Sequence, residues 1–340
     1  MFKSGLSRSG FMPARVIQLH PSRFCNLACR HCYSASGPKV QGELNPETII
    51  SSLEILKAEG YEVISLSGGE PLLYSGFEKL VRHAASLGFQ VNLITNGAPV
   101  GGRKLDLITE YVSTVAVSLD GGREIHNELR DDPRAFDWAE KAMDKLSAVS
   151  KRFGVAYCVS RESLSDMPWA VEFAQTKGAA LIQFHPFAAI GRGLNVAQRF
   201  ELAETDKARA VLIATLLDTG DAPAIHLDLA SVEAARSRRG DYMILNVEDA
   251  SQASLSDLVN PLIIDETGLM LPLSHGIDQQ FAMGRIGPNL NSHLMHFKLI
   301  GWQSLRNVIN TSFDQLEMHT PKFIDWFHHV VKTSNKLHVH

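Results

Sequence analysis

Cysteine is scarce in this sequence, and the scarcity limits how the chain uses sulfur. The 340 residues contain four cysteines, of which three are Cys25, Cys29 and Cys32 and the fourth is Cys158. This distribution disfavours the disulfide framework of a small secreted protein. Free, clustered thiols fit a reducing compartment, so we expect the protein to be cytoplasmic.

Long apolar runs and a strong charge of either sign are also missing. No apolar stretch approaches the roughly 20 residues that a membrane-spanning helix needs. Residues 1–13 include Lys3 and Arg8 but lack the apolar centre of a secretory signal. The formal net charge of −4 gives no reason to expect an anionic partner. We therefore expect neither a membrane nor a nucleic acid as a partner.

The three neighbouring cysteines have the spacing Cys-x3-Cys-x2-Cys and directly follow a short apolar stretch at residues 16–20. A loop this short can turn three thiolates towards one point, and thiolates are the usual ligands of iron–sulfur clusters. A cubane cluster normally has four cysteine ligands, and no fourth is nearby. One iron would therefore keep an open position, as reactive metal sites do. Structural zinc, with His20 or His31 as the fourth ligand, is the alternative.

Strand and helix patterns alternate through the rest of the first half. Short apolar stretches alternate with segments whose apolar residues recur at helical spacing. This alternation predicts parallel strands joined by right-handed crossovers. The six predicted strands are residues 16–20, 62–66, 90–94, 114–119, 153–159 and 180–185.

Each unusual loop of this half lies at the carboxyl end of a predicted strand, where parallel barrels carry their chemistry. The loop Ser67-Gly68-Gly69-Glu70-Pro71 suits the amino-acid part of a zwitterionic ligand. Glycine permits close approach of a ligand to the backbone, whose N–H and C=O groups can then bind it. Glu70 can accept a hydrogen bond from its ammonium group. Taken alone, the same loop is typical of a tight strand-to-helix turn.

Together, the cysteine loop and the Gly-Gly-Glu-Pro sequence after the second strand resemble the radical S-adenosylmethionine (AdoMet) superfamily. Ser118-Leu119-Asp120-Gly121, followed by His126 and Arg130, resembles the pattern of its peptide-modifying branch. The resemblance implies a [4Fe–4S] cluster whose open iron binds AdoMet. One-electron transfer would cleave the sulfonium, and a 5′-deoxyadenosyl radical would take a hydrogen atom from the substrate.

The resemblance also implies roles for individual residues. Cys25, Cys29 and Cys32 are expected to hold the cluster. Asp120 is the predicted catalytic residue, in contact with substrate or in proton transfer. The expected AdoMet-binding residues are His31, Ser67, Gly68, Gly69, Glu70, Asn96, Ser118 and Arg130. His31 stands where the family usually has an aromatic residue against adenine. The alternatives are ordinary turns for the serine and asparagine, and an exposed, salt-bridged helix start for the charged pair.

The second half has weaker patterns. A helix is expected between residues 200 and 217, with Thr205 as the candidate cap, and the pattern loosens at residues 223–227. Two apolar runs around a glycine turn at residues 260–273 predict a hairpin. The hairpin resembles that of the SPASM/twitch extension in radical AdoMet peptide maturases. No cysteine follows Cys158, so the extension would lack auxiliary clusters.

The expected fold class is α/β: a partial (β/α)6 TIM-like barrel with a smaller C-terminal SPASM/twitch-like α+β extension. We expect the radical AdoMet barrel over residues 1–195 and a linker helix with the degenerate extension over residues 196–300. A helical tail is expected over residues 301–340. The tail histidines, including His328, His329, His338 and His340, suit either a metal or a solvated helix face, and the second is the more typical.

The expected function is a radical AdoMet enzyme that abstracts hydrogen from a ribosomally made peptide and so begins a cross-link, an epimerisation or a backbone excision. The first alternative is a radical AdoMet enzyme of small-molecule cofactor biosynthesis. The second is a non-catalytic iron–sulfur or zinc protein that binds a partner or senses redox state. The main interpretation needs an external one-electron donor. Because no leader-binding module is evident, a separate leader-peptide-binding protein is also expected.

Overall fold

The computed structural model describes residues 14–318 and 322–337, so the predictions for residues 1–13 and for His338 and His340 lie outside the described residues. The strands are β1 (Val16–Leu19), β2 (Val63–Leu66), β3 (Gln90–Thr95), β4 (Thr114–Leu119), β5 (Phe153–Val159), β6 (Leu181–Pro186), β7 (Ala224–Leu227), β8 (Ala230–Ser231), β9 (Leu262–Ile264), β10 (Met270–Pro272) and β11 (Phe323–Ile324).

Nine of these strands form one sheet in the order β10, β9, β1, β2, β3, β4, β5, β6, β7. All neighbours are parallel except β10, which runs antiparallel to β9. The end strands β10 and β7 do not pair with each other, so the sheet is an open, partial barrel. The six predicted strands are present, and their shared direction places all their carboxyl ends at one edge, called here the loop edge.

Helices connect these strands and cover one face of the sheet. They are α1 (Pro46–Ala58), α2 (Phe77–Ser86), α3 (Gly102–Tyr111), α4 (Arg123–Arg130), α5 (Ala135–Ala148), α6 (Met167–Thr176), α7 (Ala197–Phe200), α8 (Glu204–Leu217), α9 (Val232–Ser237), α10 (Met243–Asn246), α11 (Leu255–Leu258), α12 (Leu290–His296), α13 (Trp302–Met318) and α14 (Trp326–Ser334). Helix α1 begins as its sequence indicates: Asn45 accepts a hydrogen bond from the Glu47 N–H, and Pro46 occupies the first turn.

The two faces of the sheet differ in polarity, as the alternation of strand side chains dictates. One face is apolar and buried beneath the helices; it includes Ile17, Leu19, Ile64, Leu66, Val91, Leu93, Val115, Val117, Val155, Tyr157, Ile182 and Phe184. The other, called here the inner face, is partly exposed and carries Gln18, Ser65, Asn92, Ala116, Ala156 and Gln183. Burial of the first face stabilises the sheet, and the second is left only partly covered.

The sheet extends beyond the six predicted strands on both sides. Residues 224–227, where the sequence pattern loosens, form β7 and pair in parallel with β6. On the other side, the predicted hairpin forms as β9 and β10, and β9 pairs with β1. The extension therefore continues the barrel sheet directly.

Two details of the second half differ from expectation. Helix α8 begins after Ala203, whose N–H donates to the Asp206 carboxylate, so Thr205 is not its cap. In the tail, α14 is capped by Asp325, and β11 forms a two-stranded sheet with β8. Within residues 14–318 and 322–337, no helix is long and apolar enough to cross a bilayer.

Candidate active site

The cysteine loop lies at the loop edge directly after β1. Cys25 and Cys29 are each 8% exposed and pack against Leu27, with Cys32 and Trp138 partly buried beside them. Burial raises the pKa of the Cys25 thiol to about 12 and that of Cys29 to about 11. Metal binding at these thiols must therefore displace protons.

The Gly-Gly-Glu turn after β2 fixes the first side of the cysteine loop. The Gly69 N–H donates to the Ser22 carbonyl over 2.9 Å, and the Glu70 N–H donates to the Phe24 carbonyl over 3.0 Å. A Cβ at position 69 would overlap the Phe24 carbonyl oxygen, so only glycine allows this approach. These two N–H groups thus bind the cysteine loop and are not free to bind a ligand.

Arg192 fixes the second side of the same loop from the segment after β6. Its Nε donates to the Cys29 carbonyl over 2.8 Å, and its Nη2 donates to the Ser36 carbonyl over 2.6 Å. Its own N–H donates to the Cys32 carbonyl over 3.0 Å. One residue therefore holds the middle, the end and the exit of the cysteine loop. We call this set of bonds the Arg192 clamp.

The clamp depends on a close approach of two chain segments. Gly191 has φ +58°, and a Cβ there would overlap the Tyr33 carbonyl oxygen. A side chain at this position would be strained and would also push the segments apart. The turn at Gly191 thus places Arg192 on the cysteine loop.

Glu70 is almost fully enclosed, at 2% exposure. Its carboxylate accepts hydrogen bonds from the Thr95 hydroxyl over 2.9 Å, the Asn96 N–H over 2.9 Å and the Leu72 N–H over 3.2 Å. Burial nevertheless raises the pKa of Glu70 to about 7. A nearby ammonium group would favour its ionised form. This environment suits the predicted contact with the amino group of AdoMet.

Asn96 lies between the cysteine loop and the Glu70 pocket. Its Nδ2 donates to the Asn26 side-chain oxygen over 2.9 Å and lies 3.7 Å from the Cys25 sulfur. The structure therefore brings Asn96 to the predicted cluster site. Ser118, at the end of β4, is also buried, and the Ser67 hydroxyl lies 3.2 Å from the Tyr33 hydroxyl.

Asp120 and Arg130 form a buried, bidentate ion pair. Arg130 donates from Nε over 2.6 Å and from Nη2 over 3.1 Å to the carboxylate of Asp120, which is 1% exposed. Burial opposes ionisation of Asp120, but the Arg130 charge, with those of His31 and His126, holds its pKa well below the ordinary range. Asp120 is therefore an anion at neutral pH. The Arg130 Nη1 has no hydrogen-bond partner among the described residues, which leaves it available for the predicted contact with a ligand carboxylate.

Two imidazoles surround this ion pair. The His31 Nδ1 lies 3.3 Å from the Leu129 carbonyl, to which it can donate, and its Nε2 lies 3.6 Å from the Asp120 carboxylate. His126 accepts the Asp120 N–H at Nδ1 over 3.1 Å, and burial lowers its pKa to about 4. The predicted residues His31, Asp120 and Arg130 thus lie together beside the cysteine loop.

The geometry of the thiols distinguishes an iron–sulfur cluster from a single zinc ion. Zinc bonds of about 2.3 Å place tetrahedral thiolates about 3.8 Å apart. In the described part of the chain, the only group of metal-ligating residues with ligand atoms within 4.8 Å of one another is His31, Asp120 and Cys158. At least one pair of the three loop thiols therefore lies more than 4.8 Å apart, which is wider than the ligands of one zinc ion. Separate irons of a cluster fit that spread, and thiolate is the donor that such clusters use.

The two histidines that could complete a zinc site have neighbours of their own. The His20 Nε2 lies 3.4 Å from the Tyr33 hydroxyl, and the ring of His275 approaches that of His20 with centroids 5.1 Å apart. Burial and the neighbouring His275 lower the pKa of His20 to about 3, so this imidazole is neutral. The His31 ring nitrogens lie near the Leu129 carbonyl and the Asp120 carboxylate. The spacing of the thiols, rather than the state of these histidines, is what disfavours a single zinc ion.

An open thiolate loop beside a glycine turn, at the carboxyl ends of parallel strands, points to proteins that pair an iron–sulfur cluster with a cofactor carrying an amino acid. Residues 19–174 match the family described as the radical SAM superfamily, and this part of the chain is a radical SAM domain. The family implies a [4Fe–4S] cluster and AdoMet, and the thiols and the enclosed Glu70 fit these two groups.

Two curated relatives illustrate the range of this family. The sporulation killing factor maturation protein SkfB of Bacillus subtilis (strain 168) is 31% identical over 169 residues, which cover 49% of this chain and 41% of SkfB. An AdoMet-dependent heme synthase of Oleidesulfovibrio alaskensis is 27% identical over 198 residues, which cover 57% of this chain and 51% of the synthase. The chain thus spans about half the length of the curated relatives that it matches.

Solved structures establish the fold. SuiB of Streptococcus suis bound to S-adenosylmethionine matches with a TM-score of 0.67 and 15% identity, over 87% of this chain and 68% of SuiB. SuiB bound to precursor peptide SuiA matches with a TM-score of 0.61 and 15% identity, over 77% of this chain and 60% of SuiB. These similarities confirm the partial barrel, and the hairpin extension is compatible with them.

The sequence alone predicts no role for several residues near the site. They are Tyr33, His275, Arg192, His185 and Asp228. The signal that could have found them is position: His185 closes a predicted strand, and Arg192 follows it in a loop at the same edge. Asp228 follows β7, a strand that the sequence pattern did not predict. Its position beside His185 could therefore not be predicted either.

Proposed function

We propose that this protein is a radical AdoMet enzyme whose substrate is a ribosomally made peptide. The observation that carries the radical chemistry is the buried three-thiol loop, held from both sides by the Gly-Gly-Glu turn and by the Arg192 clamp. When bound, the cluster and AdoMet supply hydrogen-atom abstraction from an unactivated carbon. The protein supplies binding, orientation and exclusion of water.

The predicted residues other than Ser67 have tasks that their surroundings support. Cys25, Cys29 and Cys32 hold the cluster. The enclosed Glu70 binds the ammonium group of AdoMet together with carbonyl oxygens of Gly68 and Gly69.

On the other side of the cofactor, Arg130 binds the AdoMet carboxylate through its remaining N–H groups. Asp120 keeps that guanidinium in place and supplies a fixed negative charge. Asn96 and Ser118 bind the polar groups of the cofactor, and the imidazole of His31 lies against adenine.

A peptide substrate is supported by two comparisons. SkfB is a maturation protein for the sporulation killing factor, and SuiB has been solved with its precursor peptide. The hairpin of β9 and β10, which extends the barrel sheet, resembles the extension of peptide maturases and lacks the cysteines of an auxiliary cluster. An external one-electron donor and a separate leader-peptide-binding protein belong to this proposal.

A tetrapyrrole substrate is the second candidate, because the chain matches the heme synthase over a slightly longer stretch than SkfB. The two candidates make different demands on the partly exposed inner face. A peptide presents backbone amides in an extended segment, whereas a tetrapyrrole presents a flat ring with carboxylates at its edge.

Co-expression with each short reading frame encoded beside this gene tests the substrate. Mass spectrometry should find one peptide whose mass changes only when this protein is present, and the change should be absent with Cys29→Ala. If no peptide changes and anaerobic incubation with iron coproporphyrin III gives an altered tetrapyrrole, the second candidate replaces the first.

A further inference from the structure

A histidine–aspartate pair lies at the loop edge on the far side of the barrel from β1. His185 is near the end of β6, and Asp228 directly follows β7. The His185 Nδ1 donates to an Asp228 carboxylate oxygen, and the Gln183 Nε2 lies 3.2 and 3.3 Å from the two oxygens. We call His185 and Asp228 the β6–β7 dyad.

The dyad is held in orientation yet stays accessible. The His185 side chain is 42% exposed and that of Asp228 is 38% exposed. The His185 Nε2 has no hydrogen-bond partner among the described residues. Because Asp228 takes Nδ1–H, Nε2 is the nitrogen left for a ligand. An exposed pair of this kind adds at most about 1 kcal/mol to stability, so a purely structural role explains little.

The strand register places the dyad next to the residues already assigned to the site. Cys158 on β5 pairs in register with His185. The Cys158 sulfur also lies within 4.8 Å of the ligand atoms of His31 and Asp120. Paired residues of parallel strands share a face, so His185 lies on the inner face one strand from Cys158 and two strands from Asp120.

The charges around His185 favour its protonated form. Burial opposes the charge, but Asp228 and then Asp325, the cap of α14, raise the pKa of His185 overall. His226, two residues before Asp228, acts on the Asp228 carboxylate, whose pKa is lowered. Burial raises the pKa of the neighbouring Cys158 thiol, which stays neutral. A protonated imidazole with Nδ1–H already bound offers one strong donor, Nε2–H.

We propose that His185, oriented by Asp228, binds the substrate by donating Nε2–H to a carbonyl or carboxylate oxygen. This inference rests on the proposed function in one respect, since it assumes a substrate on the inner face. The ligand oxygen is an amide carbonyl if the substrate is a peptide and a propionate if it is a tetrapyrrole. Both sources share the acceptor chemistry that the dyad recognises.

Four variants separate this role from general damage to the barrel. His185→Phe removes the donor and keeps an aromatic ring, and His185→Gln restores a neutral donor at a similar place. Asp228→Asn removes the orienting charge. His226→Gln is the matched control, because it changes an exposed histidine on the neighbouring strand that faces the same side.

Two activities of the reconstituted holoenzyme are measured for each variant. Formation of 5′-deoxyadenosine without substrate reports the cofactor site and should stay within about twofold of wild type in all four. Peptide modified per 5′-deoxyadenosine should fall about tenfold in His185→Phe, as expected for loss of a charged hydrogen bond, and less in His185→Gln. A parallel arm measures binding of iron coproporphyrin III by absorbance, with the same variants.

The outcomes distinguish this inference from the proposed function. If the wild-type protein modifies no peptide, the peptide proposal fails. Binding of iron coproporphyrin III then tests whether His185 binds substrate. A tenfold loss of binding in His185→Phe there supports the inference with a propionate ligand. The inference is overturned if His185→Phe matches wild type with whichever substrate the wild-type protein uses. It is also overturned if wild type neither modifies a peptide nor binds iron coproporphyrin III, or if 5′-deoxyadenosine formation and peptide modification fall together in His185→Phe.

A spectroscopic measurement tests the dyad without any substrate. In histidine-labelled protein with the cluster oxidised, the NMR signal missing from His185→Gln identifies His185. Its pKa should lie above the ordinary value and should fall in Asp228→Asn, while His226→Gln should leave it nearly unchanged. A His185 pKa that does not respond to Asp228→Asn contradicts the dyad.

Discussion

The two sides of the loop edge differ in how they are built. On the cysteine-loop side, Cys25, Cys29, Glu70 and Asp120 are buried, and the Gly-Gly-Glu turn and Arg192 are hydrogen-bonded to the loop. At the β6–β7 dyad, side chains are half exposed, and one imidazole nitrogen is left without a partner in the described residues. The polar groups of the first side are mostly bonded within the protein, as suits a cofactor that is always the same. The second side keeps one donor without a partner, as suits a ligand that the protein must bind and release.

The largest effect of a substitution is expected at the cysteine loop. Replacing Cys25, Cys29 or Cys32 with alanine should lower bound iron to background and 5′-deoxyadenosine formation by at least about a thousandfold, since each thiolate anchors the cluster. Cys158→Ala is the matched control, because its partly buried thiol is outside the loop. Retained iron in any loop variant, or its loss in Cys158→Ala, would show that the ligands have been misassigned.

The buried ion pair gives the next largest effect. Asp120→Asn leaves the Arg130 charge unpaired and should lower the free energy of unfolding by about 3 kcal/mol, measured by urea denaturation. The double variant Asp120→Asn/Arg130→Met should recover much of that loss, because no buried charge remains. Breaking the exposed pair of Arg123 and Asp137 with Arg123→Ala should cost less than about 1 kcal/mol. Equal costs for the buried and exposed pairs would contradict the account.

The burial of Glu70 should also make the free energy of unfolding depend on pH. Its pKa is raised to about 7 in the folded protein, so between about pH 4.5 and 7 the folded state binds more protons than the unfolded state. The stability linked to Glu70 is therefore present at low pH and lost as pH rises through 7. In cluster-free protein, wild type should lose about 3 kcal/mol more than Glu70→Gln between pH 5 and 8. Parallel pH profiles of the two proteins would show that Glu70 is not the enclosed group described.

The Arg192 clamp gives the smallest effect, because the thiols themselves remain. Arg192→Met should slow 5′-deoxyadenosine formation about tenfold while most of the iron is kept, since two hydrogen bonds to the loop are lost. The electron paramagnetic resonance signal of the reduced cluster should also change. Arg161→Met is the control, because it removes a remote arginine that contacts the Gln198 carbonyl over 3.4 Å. A signal and rate like wild type in Arg192→Met would make the clamp dispensable.

The sequence predicts the cofactor side well because its signals are local. The cysteine spacing, the two glycines and the cap of α1 each act within a few residues, and alternation of strands and helices then places their loops at one edge. Strand β7 was missed because four residues that include an exposed histidine carry little strand signal. The hairpin was foreseen, but its pairing with β1 is a contact between distant segments.

The hydrogen bonds and ion pairs that fix the site could not be predicted from the sequence, because most of them also join distant segments. Arg192 contacts a carbonyl 163 residues earlier in the chain, and His185 meets Asp228 across a strand pair that was not expected. The predicted roles treat Asp120 and Arg130 separately and the alternative is an exposed salt bridge, whereas the structure joins the two in a buried ion pair. Such pairings follow from the register of the sheet, which local patterns do not determine.

The most direct test of the account is anaerobic reconstitution followed by reduction in the presence of AdoMet. The account predicts about four irons per chain, a resonance signal that shifts when AdoMet is added, and release of 5′-deoxyadenosine. Zinc in place of iron, or a cluster whose signal ignores AdoMet because the protein supplies a fourth ligand, would contradict it.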